Sequence, residues 1–248
     1  MFDFRLFWTE PVFNKSNKKI FVVYDHGEIC RFRASSFLTK EPETLDWIDT
    51  FDSGDNFLDI GANIGIYSLY AATKGIQTTC VEPDALNFAL LNLNIKKNRL
   101  GHLTKAFPVA LNDTTGFFDL NLQKMQWGGA LSSFNNQKDV FEKTFEPVHK
   151  QGCFGETLDN FTSSIGLNVN HIKIDVDGNE NLILKNGTKT LQKEGLKSLL
   201  IELDEKRKDY ESSIAIIEAS GLKLVIKTHS EMFDNSKFSS LYNHIFRK

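Results

Sequence analysis

Residues 55–66 read Asp55-Asn56-Phe57-Leu58-Asp59-Ile60-Gly61-Ala62-Asn63-Ile64-Gly65-Ile66, and Thr78-Thr79-Cys80-Val81-Glu82-Pro83-Asp84 follows. An apolar run ends in a glycine-bearing turn, and a second apolar-rich stretch continues until Gly75. That pattern is a buried strand, a turn and a helix. Glycine lets backbone approach a ligand where a Cβ would collide. The helix start presents free N–H groups and the positive end of its dipole. Glu82 ends the next apolar run, where a carboxylate can accept from both hydroxyls of a ribose. The stretch reads as a site for a nucleoside-containing cofactor, with Gly61, Asn63, Gly65 and Glu82 around it.

The dinucleotide fingerprint is G-x-G-x-x-G. Here Asn63 stands at the second glycine position, and the third glycine is displaced to Gly65. Asp59, two residues before Gly61, can accept from an ammonium, a group that a dinucleotide pyrophosphate does not need matched. S-adenosylmethionine, with its amino-acid tail, therefore fits better than a nicotinamide dinucleotide. A ligand-free strand–turn–helix is the bland alternative.

Working outward, strands are expected over 56–61, 76–82, 105–111, 171–176, 198–203, 222–228 and 240–246. Helices are expected over 41–52, 64–74, 84–98, 179–193 and 209–220. The β-α-β-α-β rhythm implies a parallel sheet with right-handed crossovers. The last two strands have no helix between them and should form an antiparallel hairpin. Residues 113–153 break the rhythm as an insertion on the ligand rim, with Phe117–Leu122 alternating like a solvated strand before Gly128-Gly129. Residues 1–40 suggest a few short strands covering one end of the site. The organisation expected is an N-terminal extension over 1–52, packed on a domain spanning 53–248.

These segments, with Gly128-Gly129-Ala130-Leu131-Ser132-Ser133, Glu156-Thr157-Leu158-Asp159 and Ile172-Lys173-Ile174-Asp175-Val176-Asp177-Gly178-Asn179-Glu180, carry a resemblance. In order and content the chain resembles the FkbM family of S-adenosylmethionine-dependent methyltransferases over about residues 54–190. The resemblance implies an α/β, Rossmann-like, seven-stranded methyltransferase sheet with a small N-terminal β/α addition. It also implies S-adenosylmethionine as donor, and acceptors that are often hydroxyls of natural products or sugars. The family usually has glutamate where this chain has Asp177, one methylene shorter.

Ligands of such sheets bind beyond the carboxyl ends of the strands, where strand order reverses. Asp59, Glu82, Asn112, Asp113, Asp175, Asp177, Glu202 and Asp204 all fall near expected strand ends. Asn112 or Asp113 can meet the adenine edge, or simply form a turn before Thr114-Thr115-Gly116. Asp175 is the acceptor-side candidate, as general base or organiser of a hydroxyl. Its alternative is a ligand to Mg²⁺ or Ca²⁺ with Asp177, Glu202 and Asp204, a divalent metal being possible but not the favoured reading. Asp177 and Ser132 are placed against the substrate. Glu180 suits a helix N-terminus better than catalysis. Of the histidines, His149 and His171 fall nearest the site, and each is more simply structural.

Apolar residues make up 41% and charged residues 25% of the chain, the balance of a soluble globular protein. A net charge of −3 offers no basic face for nucleic acid. Three cysteines without metal-like spacing read as reduced thiols of a cytoplasmic protein. Asp3 and Arg5 interrupt the aromatic N-terminus, which therefore does not read as a signal peptide. No stretch approaches the roughly 18 apolar residues of a membrane span. The functional expectation is O-methylation of a sugar, glycan or small metabolite. N- or carboxyl-methylation, or a catalytically silent donor-binding domain, are the alternatives.

Overall fold

In the computed structural model, residues 9–138 and 140–248 are described. The part of the expected N-terminal extension before Thr9 lies outside them. The hairpin β1 (Thr9–Phe13) and β2 (Lys19–Tyr24) comes first, followed by α1 (Glu28–Ser35) and α2 (Pro42–Ile48). The alternating half then runs β3 (Asn56–Ile60), α3 (Ile66–Thr73), β4 (Gln77–Val81), α4 (Ala85–Lys97) and β5 (Thr104–Phe107). An inserted sheet of β6 (Val109–Leu111), β7 (Gly116–Leu122), β8 (Ser133–Phe134) and β9 (His149–Glu156) follows. The second half is α5 (Leu158–Ser164), β10 (His171–Ile174), α6 (Glu180–Lys185), α7 (Thr188–Gln192), β11 (Ser198–Asp204), α8 (Tyr210–Ala219), β12 (Lys223–Thr228) and β13 (Leu241–Arg247).

The main sheet has seven strands in the order β12-β13-β11-β10-β3-β4-β5. Its five inner and early strands are parallel, and β13 runs antiparallel to both β11 and β12. Strand order reverses between β3 and β10. Apolar clusters cover both faces: Leu45, Trp47, Leu69, Ala72, Leu90 and Leu91 lie in one, and Ile172, Ile174, Ile183, Leu191, Leu199 and Ile217 in the other. Strands buried on both faces read as apolar-rich runs, and β3, β10 and β11 do apart from Asp59, His171, Lys173 and the polar ends of β11.

Four expectations change. Residues 105–111 form two strands, not one, because Pro108 has no N–H to continue a ladder, and the chain leaves β5 for β6 in the second sheet. Residues 179–193 form two short helices broken at Gly187. There a Cβ would stand 2.6 Å from Leu158 Cδ2. Residues 28–35 are helical, and the preceding hairpin docks on α4 rather than over the site. Asn94 Oδ1 accepts from Tyr24 N–H at 2.8 Å, and Asn98 Oδ1 accepts from Val22 N–H at 2.9 Å. A single 3-10 turn, Glu231–Phe233, stands between β12 and β13. Among the described residues no helix is long and apolar enough to cross a membrane.

His171 lies at the start of β10, at the sheet end opposite Asp175, and so is removed from the site it was expected to approach. It is buried between Ser198 Oγ on Nδ1 (2.7 Å) and Asp55 Oδ2 on Nε2 (2.8 Å), with the Phe51 ring stacked 3.7 Å from its own. Trp47 Nε1 donates to Ser198 Oγ at 2.8 Å, which leaves the serine hydroxyl to donate to His171. Lys197 completes the set against Asp55 at 2.8 Å. Burial lowers the His171 pKa. The unfolded chain therefore takes up this proton first, so stability is full above about pH 6.5 and declines as pH falls below it. Asp55→Ala should destabilise the fold by on the order of 2–3 kcal/mol, since it strands buried donors beside a half-exposed lysine. Urea midpoints at about pH 8 and about pH 5.5 check both: the wild type loses stability at the lower pH.

Candidate active site

Gly61 and Asp175 follow β3 and β10 at the reversal point. Gly61 has φ +82°, and a Cβ there would stand 1.8 Å from the Asp175 carbonyl oxygen. The glycine is thus required by backbone meeting backbone, a constraint the sequence did not suggest, and it also lines the chambers described below. Gly65, at φ +89°, precedes α3, and its Cβ would meet Leu91 Cδ1 at 2.4 Å. It seats α3 on α4. Asn63 between them also takes a left-handed conformation, φ +51°.

Glu82, just past β4, is buried and closes this turn. Its Oε2 accepts from Asn63 N–H at 2.7 Å and its Oε1 from Asp84 N–H at 2.9 Å. Gly61 and Ala62 N–H donate to Val81 O and Asn63 N–H to this carboxylate, so none of the three is free to cradle a phosphate. Each oxygen of Glu82 keeps a lone pair for a further donor. Burial pushes its carboxyl up to about 8, against the pull of these two backbone donors. Glu82 lines a cavity of about 610 Å³, mouth included, together with Gly61, Asn63, Leu111, Ser132, Asp175 and Asp177.

A strap, residues 128–131, lies across this cavity. Gly129 O accepts from Asn63 Nδ2 at 2.6 Å and Asn87 Nδ2 at 3.0 Å. Gly128 N–H donates to Asn87 Oδ1 at 2.9 Å, and Gly128 O accepts from Arg33 Nε at 2.9 Å. Leu131 N–H donates to Asp177 Oδ2 at 2.6 Å. This part of the rim insertion is thus fastened to the residues beneath it.

A second chamber of about 510 Å³ shares Gly61, Asn63, Asp175 and Asp177 with the first, and adds Asp59, Tyr67 and Lys173. Asp59 is 1% exposed. Its Oδ2 accepts from Ser68 Oγ at 2.5 Å, while its Oδ1 is buried with no hydrogen-bond partner. Desolvation raises its pKa, although Lys173 and Ser68 oppose the rise. Lys173, the register partner of Asp59 across β10 and β3, is equally buried. Its Nζ reaches Asp175 Oδ2 at 2.6 Å and lies 5.2 Å from the Tyr67 ring centroid. Burial alone would lower its pKa, but Asp175, Asp59 and Glu41 outweigh that and raise it. Glu41 is ion-paired with Lys40 and accepts from Tyr67 Oη at 2.9 Å. Although buried, it is held down to about 2 by the two lysines.

A third chamber of about 980 Å³ continues past the strap, bounded by Phe32, Phe233 and Phe238 and by Arg33, Lys40, Asp177 and Glu202. Desolvation, then the charge of Asp175, holds Glu202 well above the usual carboxylate range. Gln123 Nε2 is a buried donor without a partner on the same wall.

Asn112 and Asp113 line none of these chambers. Asn112 Oδ1 accepts from Asp113 N–H at 2.7 Å and Thr114 Oγ1 donates to Asp113 at 2.6 Å, so the pair forms a turn. The break at Pro108 carries them off the main sheet, and Val109–Leu111 face the cavity instead. His149 is exposed at the start of β9. Glu180 accepts from Gly178 N–H at 3.0 Å, bracing the turn before α6. Asp204 accepts from Lys206 N–H at 3.0 Å and lies outside the chambers that Glu202 reaches. Among the described residues no three of His, Cys, Asp and Glu group as a metal site would. Lys40, Glu41, Tyr67 and Lys173 escaped the sequence reading, although a lysine inside Ile172–Ile174 signals buried carboxylates, since an unpaired charge there is too costly.

The sequence profile of the methyltransferase FkbM domain matches residues 59–232. No curated protein matches the chain. Among solved structures, a Streptococcus mutans protein described as a SAM-dependent methyltransferase aligns at TM-score 0.53 and 13% identity, over 98% of this chain and 55% of its own. The METTL16 methyltransferase domain aligns at TM-score 0.51 and 14% identity, over 97% of this chain and 86% of its own. At these identities the likeness speaks for the fold. The residues fit the methyl donor such folds use: Asp59 Oδ1 is an orphaned acceptor for an ammonium, and Glu82 has lone pairs left for a diol.

Glu82→Ala should weaken S-adenosylhomocysteine binding by on the order of 1.5–3 kcal/mol in calorimetry, the scale of hydrogen bonds to a charged group. Unchanged affinity would remove Glu82 from the donor site. Gly61→Val should lower the thermal midpoint sharply, because the new side chain drives β3 from β10. A variant with the wild-type midpoint would mean that the two loops have room to spare.

Proposed function

We propose that this chain, which belongs to the FkbM methyltransferase family and is a SAM-dependent methyltransferase, methylates a hydroxyl oxygen of a sugar, glycan or small metabolite. The observation that carries this reading is the third chamber. Phenylalanine rings line it together with the carboxyl groups of Asp177 and Glu202 and the cations of Arg33, Lys40 and Lys124, and it meets the donor chambers at Asp177. Such a lining suits a ring with an apolar face and polar, hydroxyl-bearing edges.

In this reading Glu82 accepts from the donor's ribose, and Asp59 Oδ1 takes its ammonium. Gly61, Asn63 and Gly65 shape the turn that seats both residues. The bound donor supplies an electrophilic methyl group. The chain's own work is to hold an acceptor oxygen in line with it and to remove a proton, and positioning is a large lever in such a displacement. Asp175, tied to Lys173, organises the acceptor side, and Ser132 and Asp177 border the acceptor. No divalent ion is assigned a step.

A labelled-methyl transfer screen over glycans, polyols, phenols, amines and carboxylates tests the reading. Hydroxyl products are expected, and transfer confined to amines or carboxylates would overturn it. Asp175→Asn should keep S-adenosylhomocysteine binding while transfer falls by roughly 10²-fold, the scale of a misplaced acceptor. EDTA should leave the wild-type rate unchanged, and a loss restored by Mg²⁺ would instead place a metal at these carboxylates.

A further inference from the structure

Two carboxylates stand where the donor and acceptor chambers meet, and their surroundings differ. Asp175 is held by the buried Lys173 ammonium at 2.6 Å. That contact occupies Oδ2 and ties Asp175 into the sheet as the lysine's nearest counter-charge. Asp177 has no such partner. Its Oδ2 accepts from the strap's Leu131 N–H at 2.6 Å, and among the described residues nothing hydrogen-bonds its Oδ1. It borders all three chambers, and of the residues common to all three it is the one that can titrate.

Its backbone points the same way. Asp177 has φ +60° and is followed by Gly178 at φ +116°. Aspartate enters the left-handed region more readily than most L-residues, and it stays there where the surroundings fix it, often at functional sites. Here the imposing groups are Glu180, which accepts from Gly178 N–H, and the Leu131 N–H that fixes the side chain.

We propose that Asp177, rather than Asp175, takes the proton of the acceptor hydroxyl, an assignment that rests on the hydroxyl reading above. Asp177 Oδ1 receives the proton as the hydroxyl oxygen's lone pair forms the bond to the methyl carbon. The carbon–sulfur bond breaks with its electrons going to sulfur, which leaves a neutral thioether. The proton then passes to water through the open third chamber. The charged groups around Asp177 are Asp175, Glu202 and Glu180, with Arg33 and Lys40 opposing them. Desolvation first, then Asp175, raises its carboxyl to about 6, where a base serves near neutral pH.

Asp177→Asn is the informative variant, because asparagine enters the left-handed region readily and can still accept from Leu131. Carboxyl-carbon NMR titration of the donor-free protein should show one aspartate titrating near pH 6, absent from Asp177→Asn. An Asp177 that titrates in the ordinary range, below about 4, overturns the assignment. With the hydroxyl probes of the screen, the wild-type rate should rise with pH through about 6, since the base must be ionised, and then level off. Asp177→Asn should lose that rise together with roughly 10²–10⁴-fold of rate, with S-adenosylhomocysteine affinity unchanged, and Asp177→Glu should recover part of it. Hydroxyl methylation that survives Asp177→Asn overturns this assignment alone. A wild type that binds S-adenosylhomocysteine but methylates no hydroxyl probe overturns the hydroxyl reading as well.

Discussion

A lysine ammonium buried in the middle of a sheet sets the terms for everything around it. Lys173 lies between Ile172 and Ile174 on a strand covered on both faces, so its charge must be met within the protein. Asp59 meets it from the directly opposed position on β3, Asp175 from two residues further along β10, and Glu41 from the start of α2. That one requirement draws together the ends of β3 and β10 and brings α2 and α3 onto them, with the Tyr67 ring beside the ammonium. It leaves acid in excess. Three carboxylates surround Lys173, and only Glu41 has a second lysine, Lys40. Asp59 Oδ1 is the vacancy that results, a buried acceptor suited to a cation.

The architecture was legible because its signals are local. Apolar runs ending in Gly61, Glu82 and Asp175 mark parallel strands, and the missing helix between β12 and β13 marks an antiparallel pair. The errors arose where tertiary contact overrides a local pattern. Gly187 breaks a helix because Leu158, distant in sequence, occupies the space a Cβ would need. Pro108 diverts a strand to another sheet, and Asn112 and Asp113 go with it into a turn outside the three chambers. The segment 28–35 is helical because it covers the third chamber with Phe32 and Arg33, not because its own pattern is strong.

The site was half legible for a related reason. Residues on the turn itself, Asn63 and Glu82, can be read from spacing because they bind one another within a single β-α-β unit. Asp175 and Asp177 look equivalent in sequence, being two apart at a strand end. The structure separates them: one is locked to an ammonium within the sheet, the other is left-handed in its backbone, half-buried and tethered to the strap. Gly61 likewise reads as a ligand-clearing glycine, and the structure adds the Asp175 carbonyl as a constraint, which no single sequence reveals.

The strap, the glycine turn and the acid-rich floor together describe a chamber for a cationic nucleoside with an amino-acid tail rather than for a pyrophosphate. Thermal denaturation with S-adenosylhomocysteine, set beside NAD⁺ at equal concentration, tests this most directly. At about a hundred times its dissociation constant a native-state ligand stabilises by about 2.7 kcal/mol, which raises the midpoint of a chain this size by about 5–10 °C. The account predicts that rise with S-adenosylhomocysteine and no shift with NAD⁺. A rise with NAD⁺ alone would contradict it.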